Sequence, residues 1–144
     1  MHIVILNGPN LNRLGLREPE IYGSQTLDDI KGLCLEKATA LGWTVDFRQT
    51  NHEGVLVDWV QDAFGACDGL VINAAGYTHT SVALHDALKL LRVPIIEVHI
   101  SDPKTREPFR HFSFVEPVAS AVIAGQGAQG YVMALEKLVA LLDP

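Results

Sequence analysis

The feature that most constrains the fold is a regular alternation of short apolar runs with segments whose apolar residues have helical spacing. The first run, Ile3 to Leu6, is continuously apolar, which is typical of a strand buried on both faces. Further strand-like runs lie at 44–49, 70–72, 95–98 and 119–124. The segments with helical spacing lie at about 27–41, 51–64, 81–91 and 130–142.

This alternation predicts an α/β fold built around a parallel sheet with helices on both faces. Five strands in 144 residues favour the flavodoxin-like, doubly wound strand order 2-1-3-4-5, because right-handed crossovers leave few alternatives. The length is that of one domain, so residues 1–144 are expected to form a single domain that buries a core without disulfides or metal.

Polar residues next to the apolar segments predict several helix ends. Thr26 and Asp29 resemble a capping pair at the start of the first long helix, and Gly42 is placed to end it. The next helix is expected to begin near Asn51, and Thr80 and Ser81 are candidate caps for the one after it.

Composition argues against several classes of partner. The net charge is -6 and no basic run is present, so binding to nucleic acid or to anionic membranes is not expected. The sequence shows no signal peptide and no apolar stretch near the roughly 18 residues of a membrane-spanning helix. Cys34 and Cys67 both lie in apolar segments without CxxC spacing, which predicts reduced core thiols in a cytoplasmic protein.

The long segment from Asn7 to Gly23 follows the first strand and has the composition of an active-site loop. In open parallel sheets, ligands bind beyond the carboxyl ends of the strands, where the strand order reverses. The segments after strands one, three and four should therefore meet at one site. Their polar residues are Asn7, Asn10, Asn12, Arg17, Tyr22, Asn73, Tyr77, His79, Glu97, His99 and Ser101.

Individual residues in this set allow two interpretations. Strand alternation puts Glu97 and His99 on the same side, so Glu97 could orient the His99 imidazole for acid or base catalysis, although an exposed strand end would produce the same pattern. His79 could belong to a helix N-terminus or bind an anion there. Tyr22 could be an ordinary loop aromatic or a base whose pKa is lowered by Arg17.

Metal and nucleotide cofactors are not expected. The histidines lack HExxH or other ligand spacing, and no acidic cluster resembles a magnesium or calcium site. No GxGxxG motif or Walker lysine is present, and the first strand ends in Asn7, where a phosphoacceptor receiver would need a carboxylate.

Several motifs together resemble the type II 3-dehydroquinate dehydratases. LNGPNL at 6–11, LG at 14–15, REP at 17–19 and YG at 22–23 match the signature of that family in order. YTHTSVAL at 77–84, EVHIS at 97–101, REPFR at 106–110 and the glycine-rich stretch 123–131 extend the similarity over essentially the whole chain.

The resemblance implies reversible loss of water from 3-dehydroquinate to give 3-dehydroshikimate, in the shikimate or quinate pathway, without metal, cofactor or Schiff-base lysine. The absence of an imine-forming lysine agrees with the sequence, because Lys89 and Lys104 are not placed at a strand mouth. The sequence does not distinguish a biosynthetic from a catabolic role.

By position, the resemblance implies a catalytic set. Tyr22 matches the phenolate base and Arg17 the lid arginine that activates it. His99, held by Glu97, matches the general acid. Asn10 matches the residue that fixes a water stabilising the enolate.

The resemblance also implies a binding set and an assembly. Asn73, His79 and Arg110 match residues that hold substrate hydroxyls, while the backbone N–H groups of Ile100 and Ser101 match those that hold its carboxylate. Asp86 matches a residue that reaches into a neighbouring subunit, in a homo-oligomer of trimers assembled into a dodecamer.

The chain departs from the family pattern at three places. Asn-Ala-Ala-Gly at 73–76 stands where Asn-Pro-Gly-Ala is common, which is expected to shift the loop. His85 replaces a frequent arginine beside Asp86, and Asp102 adds a negative charge near the carboxylate pocket. Two rival functions stay open at this point: a flavodoxin-like small-anion binding module without catalysis, and a different lyase or hydrolase acting on a polyol carboxylate.

Overall fold

Five parallel strands form one sheet at the centre of the chain. The computed structural model describes residues 1–16, 18–22 and 24–143, and for Pro19 and Tyr22 it describes the backbone alone. The strands are β1 His2–Asn7, β2 Thr44–Gln49, β3 Gly69–Asn73, β4 Ile95–His99 and β5 Ala121–Ala124. They pair in the order β2-β1-β3-β4-β5, so the predicted topology is confirmed.

Helices cover both faces of this sheet. They are α1 Pro19–Tyr22, α2 Leu27–Leu41, α3 Glu53–Ala63, α4 Val82–Leu88 and α5 Gln129–Leu142. The helices α2 and α5 pack together on one face, and α3 and α4 pack together on the other. Within the described part of the chain, none of the helices combines the length and the apolar character needed to cross a bilayer.

The alternation along β1 explains why its sequence is apolar throughout. Ile3 and Ile5 belong to the apolar cluster beneath α2 and α5, while Val4 and Leu6 belong to the cluster beneath α3 and α4. Successive side chains of a strand point to opposite faces, so a strand covered on both sides needs apolar residues at every position.

The predicted caps of α2 are present as a complete capping box. Thr26 Oγ1 accepts a hydrogen bond from the Asp29 N–H at 3.1 Å, and the Thr26 N–H donates to Asp29 Oδ2 at 2.9 Å. Gly42 ends the helix with a φ of 73°, a left-handed conformation that favours glycine. At α4, Ser81 is the N-cap and accepts from the Leu84 N–H, whereas Thr80 precedes the cap.

The helix α3 begins at Glu53, two residues later than the Asn51 start expected from the sequence. His52 is its N-cap residue and makes no side-chain cap. Asn51 Oδ1 instead accepts from the Asn10 N–H at 2.9 Å and from Gln49 Nε2 at 3.1 Å, so Asn51 ties down the loop after β1.

Two irregular stretches also differ from the sequence prediction. The expected loop from Asn7 to Gly23 contains a 3-10 turn, Leu11–Arg13, and the short helix α1. The last strand begins at Ala121 and not at Ala119, because the 3-10 turn Glu116–Val118 precedes it and the Ala119 N–H donates to the Glu116 carbonyl.

The loops that follow β1 and β3 touch each other through a glycine. The Gly8 N–H donates to the Asn73 carbonyl at 2.8 Å. A Cβ atom at Gly8 would lie 2.4 Å from the Ala74 carbonyl oxygen, well inside van der Waals contact. Only glycine therefore allows the two loops to approach closely enough to share one cavity.

Candidate active site

A cavity of about 220 Å³ opens at the carboxyl ends of β1, β3 and β4, where the strand order reverses. This is the position that the topology predicts for a ligand. The residues predicted from sequence that line it are Asn10, Asn73, His79, His99, Ile100, Ser101 and Arg110. Glu97 lies behind His99, and Asp86 does not line the cavity.

His99 and Glu97 form a buried pair at the end of β4. Glu97 is 1% exposed and His99 is 7% exposed, and His99 Nε2 is hydrogen-bonded to Glu97 Oε2. The interpretation of these residues as an exposed strand end is therefore wrong, because both side chains lie in the interior. A carboxylate that holds one ring nitrogen fixes the orientation of the imidazole.

Asn73 is fixed beneath the cavity by two hydrogen bonds. Its Nδ2 donates to the Tyr131 hydroxyl at 3.0 Å, and its Oδ1 accepts from the Ala75 N–H at 3.1 Å. An amide group offers two donor hydrogens and two acceptor lone pairs, so one of each is left for a ligand. Asn73 can thus both donate to and accept from a ligand hydroxyl.

Tyr131 links the carboxyl ends of β1 and β3 and was not predicted from the sequence. Its side chain is fully buried, and its hydroxyl donates to Asn7 Oδ1 at 2.7 Å while accepting from Asn73. Asn7 Nδ2 in turn donates to the Arg48 carbonyl. Burial raises the pKa of the Tyr131 phenol, which keeps the hydroxyl neutral and able to donate.

His79 lies in the 3-10 turn Ala75–His79 that precedes α4, and not in the helix itself. Its Nδ1 is 2.7 Å from the Phe112 carbonyl oxygen. A carbonyl can only accept, so Nδ1 carries the proton and Nε2 is the nitrogen left for a ligand.

Two arginines give the cavity a positive rim. Arg110 was predicted, and Arg106 was not, although it lies in the quoted REPFR segment. Arg106 donates to Ser101 Oγ at 3.3 Å, and Arg110 Nε donates to Glu107 Oε1 at 3.2 Å. The pKa of the Glu107 carboxyl lies below its usual value, mainly because of a backbone N–H hydrogen bond and to a smaller extent because of Arg110 and Arg106.

The carbonyls of Ile100 and Ser101 are engaged by the glycine-rich loop after β5. The Gly127 N–H donates to Ile100 at 3.0 Å, and the Gly125 N–H donates to Ser101 at 3.2 Å. These bonds fix the orientation of the peptide groups that line the cavity. Asn10 lines the same cavity and has a φ of 70°, a left-handed conformation that asparagine tolerates.

Three predicted features lie outside what the structure describes or outside the cavity. Arg17 is outside the described residues, and Tyr22 ends α1 with its backbone alone described, so their pairing stays a prediction. Asp86 is exposed on α4, and its contact with a neighbouring subunit also stays a prediction.

The departures from the family pattern have structural consequences. Ala75, at the position where the family commonly has glycine, adopts a φ of 51°, which is strained for a residue with a Cβ atom. Asp102 does not line the cavity; its carboxylate accepts from the Lys104 N–H and caps the turn Pro103–Thr105. His85 Nδ1 donates to the Phe114 carbonyl at 2.6 Å.

The arrangement can bind a small polar anion and transfer a proton to it. It offers a buried imidazole held by a carboxylate, an amide with free donor and acceptor positions, and two guanidinium groups. Among the residues that the structure describes, no group of three or more His, Cys, Asp or Glu side chains is arranged to hold a metal ion.

Comparison with known proteins finds sequence similarity over nearly the whole chain. The family described as dehydroquinase class II matches residues 1–139. A 3-dehydroquinate dehydratase of Dinoroseobacter shibae is 58% identical over 142 residues, which is 99% of this chain and 95% of that protein. A 3-dehydroquinate dehydratase of Streptomyces coelicolor is 58% identical over 140 residues, covering 96% of this chain and 89% of that protein.

Solved structures agree with the sequence comparison. The crystal structure of type II dehydroquinase from Butyrivibrio crossotus superposes with a TM-score of 0.93 at 44% identity, covering 96% of this chain and 97% of that one. The type II dehydroquinase of Propionibacterium acnes gives a TM-score of 0.93 at 45% identity, with 96% of each chain covered. The chain therefore belongs to the dehydroquinase class II family.

Proposed function

We propose that this chain is a 3-dehydroquinate dehydratase, a hydro-lyase that reversibly eliminates water from 3-dehydroquinate to give 3-dehydroshikimate. The observation that carries the proposal is the buried His99–Glu97 pair at the floor of a cavity with a cationic rim. Family membership over residues 1–139 supports the same reaction.

His99 is the general acid of the proposed reaction. Glu97 is bonded to Nε2, so Nδ1 is the ring nitrogen that can deliver a proton to the departing hydroxyl. The buried carboxylate keeps the imidazole ring in one orientation.

Tyr22 is the base, acting as a phenolate that removes the proton next to the substrate ketone. Arg17 activates it, since a guanidinium stabilises a nearby phenolate. The enolate that forms is stabilised through a water held by Asn10, which lines the cavity. The roles of these three residues rest on the family resemblance.

The substrate is held by several of the groups that line the cavity. Asn73 and His79 bind ring hydroxyls, since each keeps a free hydrogen-bonding position, and Arg110 binds a further hydroxyl. The carboxylate lies against the backbone N–H groups of Ile100 and Ser101. This binding mode needs no metal, cofactor or Schiff-base lysine.

The family relatives support the dehydratase and not a non-catalytic anion-binding module. We also propose that the protein works in the cytoplasm as a homo-oligomer of trimers forming a dodecamer, with Asp86 reaching a neighbouring subunit's site. The exposed position of Asp86 on α4 is compatible with that contact.

The proposal is tested by absorbance of the conjugated enone formed from 3-dehydroquinate. Turnover should persist with excess chelator, which would inactivate a metal-dependent enzyme. It should also persist after borohydride treatment in the presence of substrate, which would reduce the enzyme–substrate imine of an imine-forming enzyme and so inactivate it. His99→Ala should lower kcat by at least about 10²-fold, the contribution of a positioned acid.

The matched control is His52→Ala, because His52 lies at the start of α3 and makes no side-chain cap. This variant should keep the wild-type kcat. Near-normal turnover by His99→Ala would remove His99 from the mechanism, and no turnover by the folded wild-type protein would remove the proposed function.

A further inference from the structure

The Ser113 side chain is hydrogen-bonded to Glu97, the carboxylate of the buried Glu97–His99 pair. Its Oγ donates to Glu97 Oε2 at 2.8 Å, and the same Oγ accepts from the Val115 and Glu116 N–H groups, both at 3.1 Å. A hydroxyl has one proton and two lone pairs. Since both lone pairs are occupied, the proton is directed at the Glu97 carboxylate.

The backbone on either side of Ser113 is also held in place. His79 Nδ1 donates to the Phe112 carbonyl at 2.7 Å, and His85 Nδ1 donates to the Phe114 carbonyl at 2.6 Å. The Phe114 N–H donates to the Thr78 carbonyl at 2.9 Å. The segment 112–114 therefore has little freedom to move relative to the turn before α4.

The carboxylate of Glu97 depends on few donors. Its Oε2 accepts from His99 and Ser113, while its Oε1 is buried without a hydrogen-bond partner among the described residues. A buried carboxylate with few donors loses a large share of its stabilisation when one is removed. Losing the Ser113 hydroxyl would free the carboxylate to turn away from the His99 ring.

We infer that Ser113 is a positioning residue, which fixes the Glu97 carboxylate and through it the His99 imidazole. Ser113 does not line the substrate cavity, so its effect on substrate is indirect. This inference rests on the proposed function for its kinetic consequence, but the geometry of the His99 ring can be followed without any substrate.

The kinetic test compares Ser113→Ala with Ser113→Thr. The alanine variant should lose about tenfold or more in kcat with KM changed by less than about twofold, because a hydrogen bond to a charged group is removed while the binding groups stay. The threonine variant keeps the hydroxyl and should restore most of kcat. Ser120→Ala is the matched control, since Ser120 Oγ contacts the Ile95 N–H outside the cavity.

A double variant tests whether Ser113 acts through Glu97. In a Glu97→Gln background, Ser113→Ala should change kcat by less than about twofold, because residues acting through one another are not additive. A tenfold further loss in that background would overturn the inference. If Ser113→Ala does not fold, Ser113→Cys replaces it, since the thiol has a similar shape but is a weak donor.

A spectroscopic measurement separates this inference from the proposed function. The ¹H–¹⁵N resonance of the His99 ring, assigned by its loss in His99→Ala, should shift in Ser113→Ala and not in Ser120→Ala. An unchanged resonance would overturn the positioning role even if the dehydratase activity is real. A shifted resonance in a protein without turnover would support the positioning role and reject the proposed reaction.

Discussion

Replacing Tyr131 by phenylalanine should destabilise the fold far more than the loss of one oxygen suggests. The Tyr131 hydroxyl is fully buried and joins Asn7 Oδ1 to Asn73 Nδ2, and the variant leaves both amide atoms without this partner. Each buried polar group left unsatisfied costs about 1–3 kcal/mol. The expected loss in the free energy of unfolding for the two groups together is therefore about 2–6 kcal/mol.

Tyr77→Phe is a matched control, because it also removes one phenolic oxygen. The Tyr77 hydroxyl donates to the Asn51 carbonyl at 2.8 Å in an exposed position, where water can replace it. Its loss should cost less than about 1 kcal/mol. Both variants can be unfolded with urea at one protein concentration and followed by fluorescence of Trp43 and Trp59.

The comparison has a clear refuting result. If Tyr131→Phe and Tyr77→Phe lose the same stability, the buried network does not hold the ends of β1 and β3 together. If Tyr131→Phe is less stable as expected, kcat/KM for 3-dehydroquinate should fall as well, because Asn73 loses one of the bonds that orient its amide towards the substrate.

Three further predictions concern other parts of the structure. Gly8→Ala should lower the melting temperature strongly, because its Cβ meets the Ala74 carbonyl, whereas Gly54→Ala in α3 meets nothing within 4 Å and should be neutral or stabilising. Ala75→Gly should stabilise the protein by about 1 kcal/mol in urea unfolding, since it relieves a left-handed φ, and a loss of stability would contradict that strain. Burial raises the pKa of the Cys34 thiol to about 12. Cys34 should therefore not react with a disulfide reagent at pH 8 until the protein is unfolded. A reaction of Cys34 in the native protein would disprove its burial.

The spacing of apolar residues predicted the helices and strands well, because the faces that an element buries determine which of its positions are apolar. The strand order followed from chain length and crossover handedness, and the α2 caps followed from Thr26, Asp29 and Gly42. The start of α3 was misplaced because Asn51, a good capping residue, is used in a tertiary contact with the loop after β1. Local propensity carries no information about such a distant partner.

The site was predictable where residues follow strands and hidden where they do not. His99 and Asn73 stand at strand ends, so topology alone brings them together. Tyr131 lies on the buried face of α5, where its hydroxyl cannot be told from an ordinary core aromatic. Arg106 and Ser113 lie in the irregular stretch between β4 and β5, which has no periodicity from which their positions could be read.

The positive rim of the cavity should affect the rate at which substrate associates, because the chain as a whole is negatively charged. The chain carries a net charge of -6, yet Arg106 and Arg110 stand at the mouth of this cavity. Among the residues that the structure describes, Arg106 and Arg110 share one carboxylate between them, that of Glu107, so we expect a net positive charge at the rim to favour the approach of an anion to the cavity over the rest of a negatively charged surface. Association of an anionic substrate should consequently slow as ionic strength rises, with the chemical step left unaltered.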